Sequence, residues 1–283
     1  MKALDFDYVR PATLDAALQE LENTDANARA IAGGQSLVAM MNFRLAQPER
    51  LVDLSDIAAL RFVRDIGDAI EIGAMTTFAD LERSELVGEH FPLLRAALPH
   101  IAHPSIRSRG TIGGSAALAD PAAEVPALLL AANARLNIVS TAGSRTMDAH
   151  NFIVGTYETA LKASELLRSI TIPKPPANAR FAFCELARRH GDYAMVGVAM
   201  AADSVVPITN LRVVLFAIGD TAMRAAAAEA AMDGTAREDA GARETALAAL
   251  EELDFRADLN AGVDTKRHLS RVILKRAFAE LTE

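Results

Sequence analysis

A single cysteine, Cys184, stands in a chain of 283 residues. That scarcity excludes an internal disulfide framework and any all-cysteine metal or iron–sulfur site, both of which need several thiolates. Cys184 reads as a small buried or half-buried residue, with a reactive thiol as the minor alternative. Basic surplus is missing too: 29 Lys and Arg stand against 37 Asp and Glu, a net charge of −8. Nucleic acid, whose phosphates need a basic face, is therefore not an expected partner. No apolar run reaches the roughly 18 residues of a membrane span, so no integral membrane segment is expected. The opening MKALDFDYVRP carries acidic residues where a secretory signal needs an apolar core, and a cytoplasmic location is the expectation. Any phosphate-bearing ligand would meet an overall repulsive field. It would need backbone N–H groups, a helix N-terminus or a few local arginines.

What is present suits a soluble globular protein. With 51% hydrophobic and 23% charged residues the chain is ordinary in composition. Its length allows one large or two to three small packed units with a real core. TLDAALQELENT predicts a helix with Leu14, Leu18 and Leu21 on one face and Thr13 as its cap. ARAIA reads as a short strand, GGQS as a loop, LVAMMNFRLA as a helix that Ser36 caps, and RLVDLSD as a strand. LRFVRDIGDAIEIGAM predicts a hairpin turning at Gly67-Asp68. TTFADLERSELVGEHFPLLRAALPHI reads as helical with Thr77 capping, HPSIRSRGTIGGSAALADPAAE as a loop, and VPALLLAANA as a short buried helix with Pro126 in its first turn.

A second hairpin follows around Ala142-Gly143, then SELLRSITIP as a strand ending at a proline. Pro173, Pro175 and Pro176 mark a linker. Beyond it RFAFCELARR, AMVGVAMAA and ITNLRVVLFAIGD predict strands of one antiparallel sheet. AMRAAAAEAAMDG, ARETALAALEELD and TKRHLSRVILKRAFAELTE predict three helices. Strands and helices come in runs, not as repeating βαβ units, so α+β is favoured over a doubly wound sheet. Three units are expected: residues 1–57, 58–176 and 177–283. Met40, Met41 and Phe43 at helical spacing read as core filling ahead of a cofactor-contacting stripe. The Ala-rich stretch from Arg224 to Ala231 reads as a close-packing helix.

Two glycine pairs carry the functional signal. AGGQS, residues 32 to 36, lies between an expected strand and helix, without the G-x-G-x-x-G of a Rossmann unit or the G-K-[ST] of a P-loop. It is open to two readings: a plain turn, or a phosphate cradle in which glycine admits close approach and a helix start offers donors. The second pair sits in IRSRGTIGGSAALAD, flanked by Thr111 and Ser115, with Arg107 and Arg109 just before. The two loops would close on one pyrophosphate from two sides, or the arginines belong to a solvated loop. His100 and His103 have a spacing compatible with metal ligation, but a loop reading is favoured beside Pro104. His190-Gly191-Asp192 reads as a hairpin turn with Tyr193 opening a core strand, or else Asp192 and Tyr193 flank a ligand ring, where an aromatic residue would stack.

AGGQSL...MMNFRLAQPERLVDLSDI, IEIGAMTTFADLERSELV, IRSRGTIGGSAALADPAAEVPALLLA and FAFCELARRHGDYAMVGVAMA together resemble the FAD-binding medium subunit of the molybdenum hydroxylases, the xanthine dehydrogenase and carbon monoxide dehydrogenase family. The resemblance spans nearly the whole chain. It implies an α+β fold: an FAD-binding type-2, PCMH-like region of two α/β subdomains, followed by a C-terminal α+β domain of the carbon monoxide dehydrogenase flavoprotein type. It implies that Ala32, Gly33, Gly34, Gln35 and Ser36 wrap the FAD pyrophosphate, with Leu37 a further contact. Thr111, Ile112, Gly113, Gly114 and Ser115 would approach from the other side. Ile101 and Leu167 match apolar contacts, and Glu124 falls where relatives place an aspartate on the ribose hydroxyls. Asp192 and Tyr193 would flank the flavin.

This chain departs from the family in three places: Ser115 where Asn or Asp is usual, Glu124 for Asp, and Glu185, Arg188 and Arg189 in a neighbourhood where some relatives carry lysine. The implied partners are a large molybdopterin-binding subunit, a small subunit with two [2Fe-2S] clusters, and an external electron acceptor. The lone cysteine agrees with clusters held elsewhere. The implied oxidoreductase role assigns no catalytic acid or base and no metal to this chain. A stand-alone FAD oxidoreductase of the vanillyl-alcohol-oxidase type, and a flavin-free assembly subunit, are the alternatives.

Overall fold

Leu14, Leu18 and Leu21 lie one turn apart, and in the computed structural model they build helix α1, Leu14–Glu22, begun by Thr13, whose hydroxyl accepts the Ala16 N–H at 3.2 Å. Residues 2–22 and 27–281 are described. Ala17, Leu18 and Leu21 seal α1 against a three-stranded parallel sheet. Its strands are β1, Asp7–Val9, β2, Ala28–Ile31, and β3, Arg50–Asp53, with β3 in the middle. β1 is an edge strand that the apolar pattern does not announce. Between β2 and β3 lies α2, Leu37–Asn42. Ser36 precedes α2 but its side chain makes no capping bond, against expectation, because its backbone is already helical at φ −105° and ψ −49°. Met41 is buried and Met40 half-buried, whereas Phe43 is 62% exposed and fills no core.

The second sheet is antiparallel. β4, Val63–Asp65, and β5, Ala69–Gly73, form the expected hairpin, with Gly67 at φ +94° in its turn. The following helical stretch is three helices, α3, Phe78–Arg83, α4, Glu85–His90, and α5, Pro92–Ala97. Ser84 restarts the chain by capping α4, and Pro92 starts α5 where its missing N–H costs nothing. The expected loop from His103 to Glu124 holds two helices, α6, Pro104–Arg107, and α7, Ile112–Leu118, and its last residue already opens α8, Glu124–Ala131. Hairpin β6, Arg135–Ser140, and β7, Gly143–Asp148, is followed by α9, Ala149–Phe152, and a short ladder of β8, Ile153–Gly155, with β9, Glu158–Thr159. β10, Leu166–Pro173, then enters between β5 and β6, giving the order β4-β5-β10-β6-β7.

The third sheet has the order β11-β12-β15-β16. β11, Arg180–Ala187, and β12, Ala194–Ala202, precede a small ladder of β13, Ser204–Val205, with β14, Ile208–Thr209. β15 is Arg212–Phe216. The Ala-rich stretch opens as β16, Met223–Arg224, because pairing with β15 captures its first residues. Helices α10, Ala226–Met232, α11, Ala240–Ala248, and α12, Val263–Leu281, cover one face of this sheet. Its other face enters the core that also covers the second sheet: Phe183, Ala199, Val214 and Phe216 share a cluster with Ile70, Ile72, Leu94, Val125 and Leu128. Polar stitches reinforce that contact. The buried guanidinium of Arg212 donates to the Ala131 carbonyl at 2.7 Å, and the Ala217 N–H donates to the Pro121 carbonyl at 2.8 Å. Among the described residues no helix is long and apolar enough to cross a membrane.

Candidate functional site

The two glycine pairs meet in space. A Cβ on Gly33 would stand 2.0 Å from the Arg109 carbonyl oxygen, and one on Gly114 would stand 3.3 Å from Ala32 Cβ. The first residue is therefore fixed as glycine by the approach of the second loop, whatever the ligand. Beside this junction runs a cavity of about 740 Å³, walled by the β2–α2 loop, α7, the start of α8, the β9–β10 segment and the turn before β12. Cofactor and small-molecule sites typically measure about 300–1,000 Å³. Every site residue expected from the sequence lines it except Ile112: Ala32 through Leu37, then Ile101, Thr111, Gly113, Gly114, Ser115, Glu124, Leu167, Asp192 and Tyr193. Ile112 points the other way. It is 1% exposed in the core, and its N–H donates to the Thr76 carbonyl at 3.1 Å.

The loops differ in what their backbones have to offer. In the first, Gly34 adopts φ +72°, and the Gln35 side chain donates to the Gly33 carbonyl at 2.9 Å, holding the bend. Val38 and Met40 return their N–H groups to Gly34 and Ser36 carbonyls. Among the described residues, the N–H groups of Gly34, Gln35, Ser36 and Leu37 donate to nothing in the chain. They form the open start of α2, where a helix end is partially positive. In the second loop the donors are taken. Gly113 N–H donates to the Ala74 carbonyl at 3.0 Å, Gly114 N–H to Thr111 Oγ1 at 3.0 Å and Ser115 N–H to the Thr111 carbonyl at 3.0 Å. Gly113 is glycine because a Cβ would sit 2.4 Å from Ala74 Cβ. This loop gives the cavity a wall and the hydroxyl of Ser115, while the Thr111 hydroxyl is engaged as the α7 cap.

The arginines before it also separate. Arg107 is buried and donates to the carbonyls of Ile101 and Ala102, both at 3.1 Å, so it staples a loop whose Ala102 is at φ +46°. Arg109 is exposed. Neither behaves as a pair clamping one anion in the cavity. A smaller cavity of about 420 Å³ backs the same loops, but its Arg10 and Arg61 are engaged by Asp56 and Asp80.

The remaining wall is acidic. Glu124 opens α8 only 8% exposed, and burial followed by the charge of Asp120 pushes its carboxyl up to about 7. Asp120 itself accepts the Ala122 N–H at 2.9 Å and the Tyr157 hydroxyl at 3.2 Å. Tyr157, at φ +56°, is pushed up to about 12 by burial and then by Asp120. Sequence reasoning missed Asp120 and Tyr157, although the Asp-Pro dipeptide at 120 is a turn signal that leads directly into α8. Asp192 and Tyr193 follow the turn at Gly191, φ +85°, and Tyr193 is 59% exposed before β12 begins. The turn and the placement on the cavity rim coexist; Tyr193 does not start a core strand.

His100 packs 5.3 Å from the Phe183 ring and 6.5 Å from His190, and burial with the neighbouring imidazole pulls its pKa down. Among the described residues no group of three or more His, Cys, Asp or Glu could hold a metal. Cys184 accepts the small-residue reading: it is buried, its Sγ donates to Glu280 Oε1 at 3.3 Å, and burial with that acid pushes the thiol up to about 12.

The cavity thus combines uncommitted N–H donors for a phosphate, apolar sides from Ile101 and Leu167, a buried carboxyl held by its own backbone N–H and by no other residue, and an aromatic rim. That donor set fits FAD, and Arg29 and Lys162 also line the cavity.

The chain is similar to known proteins over nearly its whole length. The family model described as FAD binding domain in molybdopterin dehydrogenase matches residues 4–175, and that described as CO dehydrogenase flavoprotein C-terminal domain matches residues 181–281. The chain is 35% identical to the nicotine 6-hydroxylase medium subunit of Paenarthrobacter nicotinovorans over 283 residues, covering 99% of this chain and 98% of that subunit. Among solved structures it resembles the carbon monoxide dehydrogenase of Hydrogenophaga pseudoflava lacking the Mo-pyranopterin moiety, at TM-score 0.95 and 36% identity over 99% of this chain and 98% of that one. Quinoline 2-oxidoreductase from Pseudomonas putida 86 matches at TM-score 0.93 and 35% identity, covering 99% and 98%.

Proposed function

This chain belongs to the FAD-binding, medium-subunit family of the molybdopterin dehydrogenases, and we propose that it carries electrons in a cytoplasmic, heterotrimeric-type molybdenum hydroxylase. It is an FAD-binding oxidoreductase chain of α+β fold. Within the proposed complex a large subunit holds molybdopterin and oxidises the substrate. A small subunit passes the electrons through [2Fe-2S] clusters to the FAD of this chain, and an external acceptor removes them. Bound FAD supplies the ability to take electrons singly and release them in pairs.

The chain's own residues position that group. Gly34, Gln35, Ser36 and Leu37 direct four N–H groups at the diphosphate, and the hydroxyls of Ser36 and Ser115 add donors. Ile101 and Leu167 pack against the dinucleotide. Glu124 accepts from ribose hydroxyls, and Asp192 and Tyr193 flank the flavin. Residues 1–57 and 58–176 clasp the cofactor, and residues 177–283 close the flavin end. The observation that carries this reading is the set of four uncommitted N–H groups opening on a dinucleotide-sized cavity. Three of the four belong to a loop that Gly34 bends through a left-handed conformation.

The test is a visible absorption spectrum of the purified chain after FAD addition and removal of excess, for the wild type and for Gly34→Val. A flavin spectrum retained by the wild type and lost by a folded variant is expected. A wild type that holds no flavin, alone or with its copurifying subunits, defeats the proposal. Molybdenum and iron in the copurified material distinguish the complex from a stand-alone flavin oxidase.

A further inference from the structure

Strand β11 alternates between two cores. Phe183 faces the core shared with the FAD-binding half, and Cys184 faces the helices behind the sheet. Glu185, next in line, returns to the Phe183 side and so faces the second unit. Its Oε2 is sealed from solvent and has no hydrogen-bond partner. Among the described residues neither Glu185 nor Glu124 joins an ion pair or receives a hydrogen bond from another residue. The negative charge of Glu124 bears on Glu185, adding to burial to push its carboxyl up to about 8.

Among the described residues no cation is paired with either acid. β12, packed beside β11, carries no titratable side chain, and α8 has none beyond Glu124. Arg95 of α5 donates to the Glu82 carbonyl, Arg188 donates to the Asn260 carbonyl, and Arg212 of β15 serves the far end of α8. Below α5, His100 is held toward its neutral form. On the cavity side stand Asp120, Tyr157 and Tyr193, and Arg29 and Lys162 line the same cavity without an ion pair to either glutamate. Glu280 and Arg276 of α12 act on Cys184, on the opposite face of the strand. Two unpaired acids in a low-dielectric wall do not both ionise, since each charge penalises the other and burial penalises both.

We propose that Glu185 is a positioning residue for the cofactor site, remaining protonated behind Glu124 so that Glu124 alone presents a charge to the ligand. This role rests on FAD being the occupant of the cavity. A neutral Glu185 leaves the Glu124 carboxylate free to accept from ligand hydroxyls. An ionised Glu185 adds a second negative charge beside an already dianionic diphosphate cofactor and weakens binding.

The full chain, labelled with ¹³C at glutamate carboxyls, is titrated by NMR without FAD, as wild type, Glu185→Gln and Glu124→Gln. The signal missing in Glu185→Gln identifies Glu185. It is expected to be protonated at neutral pH in the wild type and to move back toward ordinary glutamate behaviour in Glu124→Gln. A Glu185 already ionised at neutral pH overturns the proposal. FAD affinity is then followed upward from about pH 8, where Glu124, pushed up to about 7, already carries its charge. The wild-type Kd rises toward about tenfold per pH unit once Glu185 ionises, and Glu185→Gln stays flat over the same range. A flat wild type, or a Glu185→Gln variant that keeps the rise, overturns it too. Absence of FAD binding at every pH defeats the cofactor reading and this role with it, while the NMR titration still reports the state of the pair.

Discussion

The two glycine loops of this protein look alike in composition and are used in opposite ways. Each has paired glycines and a hydroxyl residue at the start of a helix. The loop before α2 keeps four N–H groups free toward the cavity, and its Ser36 makes no cap. The loop before α7 gives its N–H groups to Thr76, Ala74 and Thr111, and Thr111 is a working cap. One loop is built to receive an anion. The other is built to be packed against. A glycine pair near a helix start therefore identifies backbone freedom, and only the disposition of neighbouring carbonyls says whether that freedom is offered to a ligand or absorbed by the fold.

The contrast breaks most visibly at the glycines fixed by packing. Gly113→Ala places a Cβ 2.4 Å from Ala74 Cβ, and Gly33→Ala places one 2.0 Å from the Arg109 carbonyl. Each is expected to destabilise the FAD-free chain by about 3 kcal/mol in chemical denaturation, because backbone and core must shift. A Gly113→Ala chain as stable as wild type would mean that the second loop is not held by packing. Gly34→Ala sharpens the contrast from the other side. Its Cβ meets only side-chain carbons of Ile31 and Val38, at 3.3 and 3.4 Å, so the left-handed φ dominates and costs about 1–2 kcal/mol. FAD affinity measured by fluorescence titration should fall more than tenfold, since relief of that strain turns the donors away.

The hydroxyls give a smaller, crossed pair of effects. Thr111→Val removes a cap and should cost about 1 kcal/mol of stability with little change in FAD affinity. Ser36→Ala should leave stability within about 0.5 kcal/mol and weaken FAD binding by about 1 kcal/mol. Equal stability losses in the two variants would erase the distinction between the loops. The smallest effect concerns salt. If the N–H dipoles and not the cationic side chains of the cavity wall hold the diphosphate in this acidic protein, added salt should tighten FAD slightly, by less than about threefold in titrations across a tenfold range of ionic strength. A strong weakening would point to Arg29 or Lys162, the cationic residues lining the cavity, as a clamp.

Much of the fold is legible locally. Helix α1, the hairpin at Gly67, the buried helix α8 and the long strands β11 and β12 follow from periodicity and turn residues that neighbouring structure does not override. The misses share one cause, which is capture by distant partners. β1 exists because β3 receives it in parallel register, and Met223 and Arg224 become strand because β15 is beside them. The supposed loop before α8 coils into α6 and α7 because Pro104 and Thr111 start helices that are too short to show a periodic stripe. Of the expected site residues only Ile112 stands away from the cavity, and one residue of offset on a helix turn is enough to send it into the core. Asp120 and Tyr157 escaped notice because their meeting spans 37 positions and depends on Tyr157 adopting φ +56°.

By itself the sequence determined that this chain holds no cluster of cysteines, that its acidic charge requires any phosphate to be met by backbone donors, and that two glycine loops with hydroxyls stand where helices begin. These are statements about residue type and short-range order, which travel with the sequence. The tertiary structure alone decided which loop keeps its donors. Each N–H in a loop is satisfied by whatever acceptor the fold brings within reach. The carbonyls of Ala74 and Thr76 arrive at the second loop from nearly forty positions away, and no such acceptors arrive at the first.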